Sequence, residues 1–422
     1  MDCPQPVLLT KESGNEARPA SVERPITVMR KDETVVLPSI EPAAEPRPAS
    51  RKQLKEHGLL PQTMSRPCPL LNENLQMVDT AISWLGEGTE YLVVGVVGRQ
   101  GVGKSTVMSM LGGEAPFCPL KKYLFPPETV QQVLNSEHRT NGVEMLVTPQ
   151  RVVLLDTQPI LSPSIVDLLA QGDRKLPGDS GSLETQMELL ALQQLAFLYT
   201  VCHVVLVVQD WWVDGDLVRL LQTAEMLKPA SSTALSDATP TEHYPQLVFV
   251  HNRCTLAHFQ PDSISQMQEF YRSAFGSCGL SVSGGVGVGT GHVVSQAQPE
   301  VTGKPANLLL LPQFLPAEDG VTEEEYECPL RTAPTGFWSL AELVAALRAE
   351  VCRLPQLPLT HQPLSEKHWY GTSAEGARYP SLPGCLQLKA SGIAEGTRYP
   401  SLPGCLQLKA PDIGRYLAAV FS

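Results

Sequence analysis

The chain has 422 residues and ten cysteines, yet no C-x-x-C pair occurs in it. That spacing argues against a zinc ribbon and offers no disulfide framework. Scattered cysteines in a long chain fit a reducing compartment, where they behave as small apolar residues. Long apolar runs are missing too. Val201–Val208 is among the longest, far short of the ~20 residues a spanning helix needs. The opening residues "MDCPQPVLLTKESG" have no basic-then-apolar leader pattern. The expectation is a cytoplasmic location, with the nucleus as a second compartment. Positive charge is also in deficit: 32 Lys and Arg against 44 Asp and Glu give a net −12. Without a basic stripe the chain is a poor candidate for gripping nucleic acid unaided. Neither a direct nucleic-acid partner nor a membrane is expected.

Residues 1–70 lack any sustained apolar period and hold 11 prolines of the chain's 37, which reads as a disordered proline-rich tail. Order is expected to begin near Asn74, where Leu75, Val78, Ile82 and Leu85 recur at spacings of 3, 4 and 3 and predict one helix face. Short, continuously apolar segments then alternate with helical ones. Strands are predicted at 92–97, 151–157, 201–210, 246–252 and 307–314, and helices at 104–111, 182–200, 216–229 and 337–354. That alternation implies an α/β fold: a mostly parallel sheet with helices on both faces. The expected domain spans 71–370, with surface insertions at 230–243 and 279–304. The acidic run "AEDGVTEEEYE" (Ala317–Glu327) reads as a solvated loop. Beyond 371 the chain repeats itself: "AEGARYPSLPGCLQLKA" (Ala374–Ala390) returns as "AEGTRYPSLPGCLQLKA" (Ala394–Ala410). Two copies are too few for a solenoid. The tail at 371–422 is either a duplication without folded function or a tandem peptide ligand.

One motif carries chemistry. After the strand at 92–97 the chain reads Gly98-Arg99-Gln100-Gly101-Val102-Gly103-Lys104-Ser105, followed by Thr106. This is G-x-x-x-x-G-K-[ST], a loop whose backbone N–H groups cradle phosphate at a helix N-terminus. The glycines permit backbone angles and close approaches that a Cβ would block. Lys104 can reach the β- and γ-phosphates, and Ser105 can ligate Mg²⁺. Asp156 closes the next apolar strand as a candidate Mg²⁺-holding acid, or as a plain strand-end cap. Thr140, in "EHRTNGVEM", stands where a threonine closing on Mg²⁺ is expected, or is an ordinary loop residue. The candidate cofactor is a nucleoside triphosphate, ATP or GTP, with Mg²⁺.

The parts needed for turnover are altered. GTPases carry D-x-x-G after this strand, so that the glycine N–H meets the γ-phosphate. Here the four residues are Asp156-Thr157-Gln158-Pro159, and proline has no N–H. Ile160 follows where a water-orienting glutamine is often found, and Gln158 is out of register. The base-selecting N-K-x-D is Asn252-Arg253-Cys254-Thr255. Asn252 fits, Arg253 is placed to stack on a base, and Thr255 cannot replace the acid. Base choice stays open.

The segments Val93–Leu111, Leu154–Leu169, "GDRKLP" and Phe197–Pro229 closely resemble the SMG subunit nine family. Its members are G-domain-like factors of nonsense-mediated mRNA decay. The resemblance covers 71–370. It implies a domain that binds nucleotide without established turnover. It also implies pairing with a larger G-domain-like subunit, SMG subunit eight. The pair would restrain and scaffold a phosphatidylinositol-3-kinase-related kinase, SMG subunit one. The family pattern is lost after "LSEKHWYG" (Leu364–Gly371). Trp211 and Trp212 are candidates either for a partner contact or for a lid on the domain's own core. The proline-stiffened segment 158–169 is either a fixed docking surface or a rigid connector. Three functions follow: a regulatory subunit with a structural nucleotide, an active P-loop NTPase switch, or a binding module whose site is a relic.

Overall fold

The computed structural model describes residues 64–113, 123–172, 182–210, 214–228, 243–283, 306–313, 315–316, 331–332, 339–360 and 363–378. The expectations for 1–63, Trp211 and Trp212, most of both insertions, Ala317–Glu327 and the chain beyond 378 lie outside the described residues. Seven strands form one sheet: β1 (Cys68–Leu71), β2 (Leu92–Val97), β3 (Val143–Val147), β4 (Val152–Thr157), β5 (Val204–Gln209), β6 (Gln246–Cys254) and β7 (Leu308–Pro312). Their order is β1-β3-β4-β2-β5-β6-β7. β2 and β4–β7 run parallel, while β1 and β3 pair antiparallel. A two-residue ladder joins β8 (Leu315–Pro316) to β9 (Arg331–Thr332).

The parallel strands are buried throughout or nearly so, which is why they read as unbroken apolar runs. Eight helices are described: α1 (Lys104–Gly112), α2 (Val130–Leu134), α3 (Pro163–Ala170), α4 (Leu183–Val201), α5 (Gly215–Leu227), α6 (Pro261–Phe275), α7 (Leu340–Arg353) and α8 (Glu366–Arg378). They cover both faces. A Cβ added at Gly112 in α1 would strike Leu154, while one at Gly95 would strike Leu198 and Cys202 at the end of α4. Leu154 pairs with Val94, the neighbour of Gly95 in β2, so the two contacts lie on opposite faces. Helix starts are capped locally. Asp214 accepts from the backbone of Asp216 and Leu217, and Ser339 and Glu342 form a reciprocal box. Among the described residues no helix is long and apolar enough to cross a membrane.

Two expectations change. The helix face at Leu75, Val78, Ile82 and Leu85 does not form. Only Asp79–Trp84 coils, as a 3-10 helix, and Leu75 sits at φ +56°. The Asn72 side chain accepts from the N–H groups of Asn74 and Gln76, a local bond that competes with helix. Order also begins earlier than Asn74, because β1 docks on β3. At the other end α8 runs past 370 to Arg378, so the first tail copy starts inside a helix.

Candidate functional site

β2 lies between β4 and β5, and the loop leaving its carboxyl end is the glycine loop. Ligands of open α/β sheets sit at such ends. Gly101 (φ +75°) and Gly103 (φ +97°) take left-handed angles that β-carbon residues resist. At Gly98 a Cβ would stand 2.3 Å from the Val208 carbonyl. The loop therefore needs these glycines for shape. Lys104 opens α1 and Thr106 follows half-buried in its first turn.

Below the loop, Ser105, Thr140 and Asp156 come together. Ser105 donates to Asp156 Oδ2 at 2.7 Å and Thr140 donates to the same oxygen at 3.0 Å. The two hydroxyls are 3.5 Å apart. Asp156 is fully buried, and its Oδ1 has no hydrogen-bond partner. Burial pushes this carboxyl up, while Ser105, Lys104 and Thr140 pull it back. Lys104 is buried as well. Its Nζ donates to the Arg99 carbonyl at 3.0 Å. Burial lowers the ammonium to about 8, opposed by the charges of Asp156 and Glu128. A desolvated cation and a desolvated carboxylate with a spare oxygen form a site suited to a charged ligand. The donors are hard oxygens with one carboxylate, which fits Mg²⁺ sharing its shell with phosphate.

The candidate base-reading residues bond to protein groups around the loop. Asn252 Nδ2 donates to the Val102 carbonyl at 2.8 Å and stands where a Cβ on Gly103 would fall. It braces the loop. Arg253, at φ +56°, folds back to bond the Gly101 carbonyl and pairs with Asp210 at 2.8 Å. Thr255 caps the short turn Leu256–Phe259, its N–H donating to His258 Nδ1 at 3.0 Å. Gln158 is buried. Its side chain accepts from Gly142 N–H at 3.0 Å.

Three site residues escaped the sequence reading. Arg99, a variable position of the motif, forms a forked pair with Asp214 at the start of α5. Glu128 stands near the loop. Burial raises its carboxyl, and Lys104, then Gln100 and Arg253, draw it down. Gln100 bonds two neighbouring segments. No local pattern marks these partners, which are 24 to 125 residues apart in sequence.

No family model matches the chain. Nonsense-mediated mRNA decay factor SMG9 of Xenopus laevis is 31% identical over 87% of this chain and 83% of its own length. The Salmo salar factor of the same name is 34% identical over 74% of this chain and 65% of its own length. Protein SMG9 of Drosophila melanogaster is 25% identical over 76% of this chain and 59% of its own. The chain thus spans slightly less than two thirds of the salmon relative. Among solved structures, the septin GTPase domain of Chlamydomonas reinhardtii aligns at 10% identity over 69% of this chain and 96% of its own, with a TM-score of 0.26. Bacterial selenocysteine-specific elongation factor EF-Sec aligns at 10% identity over 43% of this chain and 24% of its own, with a TM-score of 0.24. Scores this low leave the fold resting on the strand order described above. The frog relative, matched over most of both chains, decides the kinship: the chain belongs to the family of nonsense-mediated mRNA decay factor SMG9.

Proposed function

We propose that the chain is a regulatory, nucleotide-binding subunit of a protein kinase complex in nonsense-mediated mRNA decay. It pairs with the larger G-domain-like SMG subunit eight. Together they restrain and scaffold the phosphatidylinositol-3-kinase-related kinase SMG subunit one, in the cytoplasm. Kinship with SMG9 supports the decay role. The observation that carries the nucleotide is the convergence of Ser105, Thr140 and Asp156 beneath the loop, with Asp156 Oδ1 unpartnered.

Lys104 would meet the β- and γ-phosphates of ATP or GTP, and Ser105, Asp156 and Thr140 would hold Mg²⁺. The metal supplies charge neutralisation to the phosphates. Arg253 and Asn252 shape the loop around the ligand. With Thr255 used as a cap and Asp210 paired to Arg253, both bases remain within the proposal. The nucleotide is a structural ligand, because Pro159 lacks the N–H that a γ-phosphate sensor needs.

Co-expression of the tagged chain with both partners tests the assembly. The expected outcome is that the larger subunit and the kinase co-purify in equal amounts, and that kinase output falls when the pair is added to kinase alone. Loss of both partners at moderate salt would refute the role.

A further inference from the structure

Gln100 is one of the four variable positions of the glycine loop, and both polar atoms of its amide are hydrogen-bonded. Nε2 donates to the Glu137 carbonyl at 2.9 Å. Oε1 accepts from Ser162 Oγ at 2.6 Å. Ser162 Oγ lies 2.8 Å from Ser164 Oγ, which lies 2.8 Å from His138 Nδ1. Glu137 and His138 are adjacent, so the circuit closes on itself. It ties two segments to the loop, 137–142 and 158–164. These flank the Mg²⁺ candidates Thr140 and Asp156.

A second layer repeats the tie. Gln158 N–H donates to the Gly142 carbonyl at 2.8 Å, and Gly142 N–H donates to Gln158 Oε1 at 3.0 Å. Gln194 Nε2 donates to the Gln158 carbonyl at 3.1 Å. Ile160 N–H donates to the Gly98 carbonyl at 3.2 Å, and Arg99 reaches the Leu161 carbonyl at 3.4 Å. Gly142 itself sits at φ +63°, where a Cβ would meet the Asn72 carbonyl at 2.2 Å. Even this turn is pinned, by the strand before the motif.

Switching NTPases work differently. Their corresponding segments are ordered by the γ-phosphate and released on its loss. A ligand shifts such an equilibrium only by its differential affinity for the two states. Here the ordering bonds are between protein groups. The N–H groups directly after Asp156 and Thr157 are committed or missing. Gln158 N–H bonds Gly142, Pro159 has none, and Ile160 N–H bonds Gly98. A third phosphate would find Lys104, but no backbone N–H of 158–160 is left for it to take and no segment is left for it to order.

We propose that Gln100 is a positioning residue that locks 137–142 and 158–164 onto the phosphate loop, so that the site holds nucleoside di- and triphosphates with nearly equal affinity. This rests on the nucleotide reading above.

The test uses the full chain, with ADP, ATP, GDP and GTP and Mg²⁺, read by calorimetry and by hydrogen exchange of the two segments. The expected di-to-triphosphate affinity ratio is within about threefold, below the ~5–150-fold of typical coupled sites. Exchange in both segments should be equally slow with either ligand. Gln100→Ala should speed exchange in both segments and open the ratio to about tenfold. Ser162→Ala should speed exchange in 158–164 alone, since Gln100 still holds Glu137. That pattern separates the clamp from general destabilisation, which would speed exchange in β5 as well. A wild-type ratio above about tenfold, or unchanged exchange in Gln100→Ala, overturns the clamp. If no nucleotide binds or raises the melting temperature, the nucleotide reading falls and this inference with it.

Discussion

Asp156 sets the chemistry of the site through one atom. A fully buried carboxylate oxygen with no partner costs free energy that a folded protein tolerates for a reason. The Mg²⁺ of the proposed function would supply the reason. Histidines at the opposite end of the sheet carry a different consequence. His203 is buried, and Val93 N–H donates to its Nδ1 at 3.0 Å, which requires a neutral ring. Burial, with a contribution from His243, holds its imidazole at about 4 against an ordinary 6.5. The folded value lies below the unfolded one, so its stabilisation is complete above pH 6.5 and is lost as pH falls towards 4. The gap between those two values corresponds to roughly 3 kcal/mol. His251, held at about 3 by burial, adds to the same slope. Urea midpoints from pH 8 down to 5 should drop most steeply below 6.5, and His203→Asn should flatten that drop. A flat wild-type profile would contradict the neutral buried ring.

At the scale of elements, α8 is fastened by buried polar contacts. Glu366 pairs with Arg151 and accepts from Gly86 N–H at 2.6 Å. Trp369 Nε1 donates to the Val201 carbonyl at 2.9 Å, and Tyr370 reaches the Val78 carbonyl at 3.1 Å. Arg151 Nη1 is already without a partner. Glu366→Ala should therefore destabilise by about 3–5 kcal/mol, because it strands a mostly buried guanidinium. Arg151→Met with Glu366→Leu should recover much of that loss in chemical denaturation. Equal instability in the single and double variants would show that the pair does not fasten the helix.

What the sequence made legible follows from the same physics. Strands β2, β4, β5, β6 and β7 announce themselves because both faces are buried. β3 hid behind Glu144, which breaks its apolar run. α6 hid because Gln268 sits on its buried face beside Ile264, Met267, Tyr271 and Phe275. That amide is satisfied by the Ala306 backbone, a partner far away in sequence. Within the site, Lys104 and Ser105 were readable because the motif fixes them locally, and Asp156 because it lies at the end of the next apolar strand. Asn252 as a brace for Val102, and Gln100 as a clamp, depend on contacts that only the folded chain makes.

For the whole molecule, an intact cradle stands beside fixed flanking segments, which suits the proposed nucleotide kept as part of the structure and not spent. Bound ligand then stabilises the domain by mass action, roughly 2.7 kcal/mol at a hundredfold excess over Kd. On the proposed function, the surface offered to partners would stay constant as the nucleotide pool varies. The most direct measurement is to load the purified chain with Mg²⁺ and triphosphate, remove the free ligand, incubate for hours, denature, and identify the released nucleotide by chromatography. Lys104→Ala serves as the control. The account predicts intact triphosphate from the wild type and none from the variant. Diphosphate accumulating on the wild type, or no nucleotide retained at all, would contradict it.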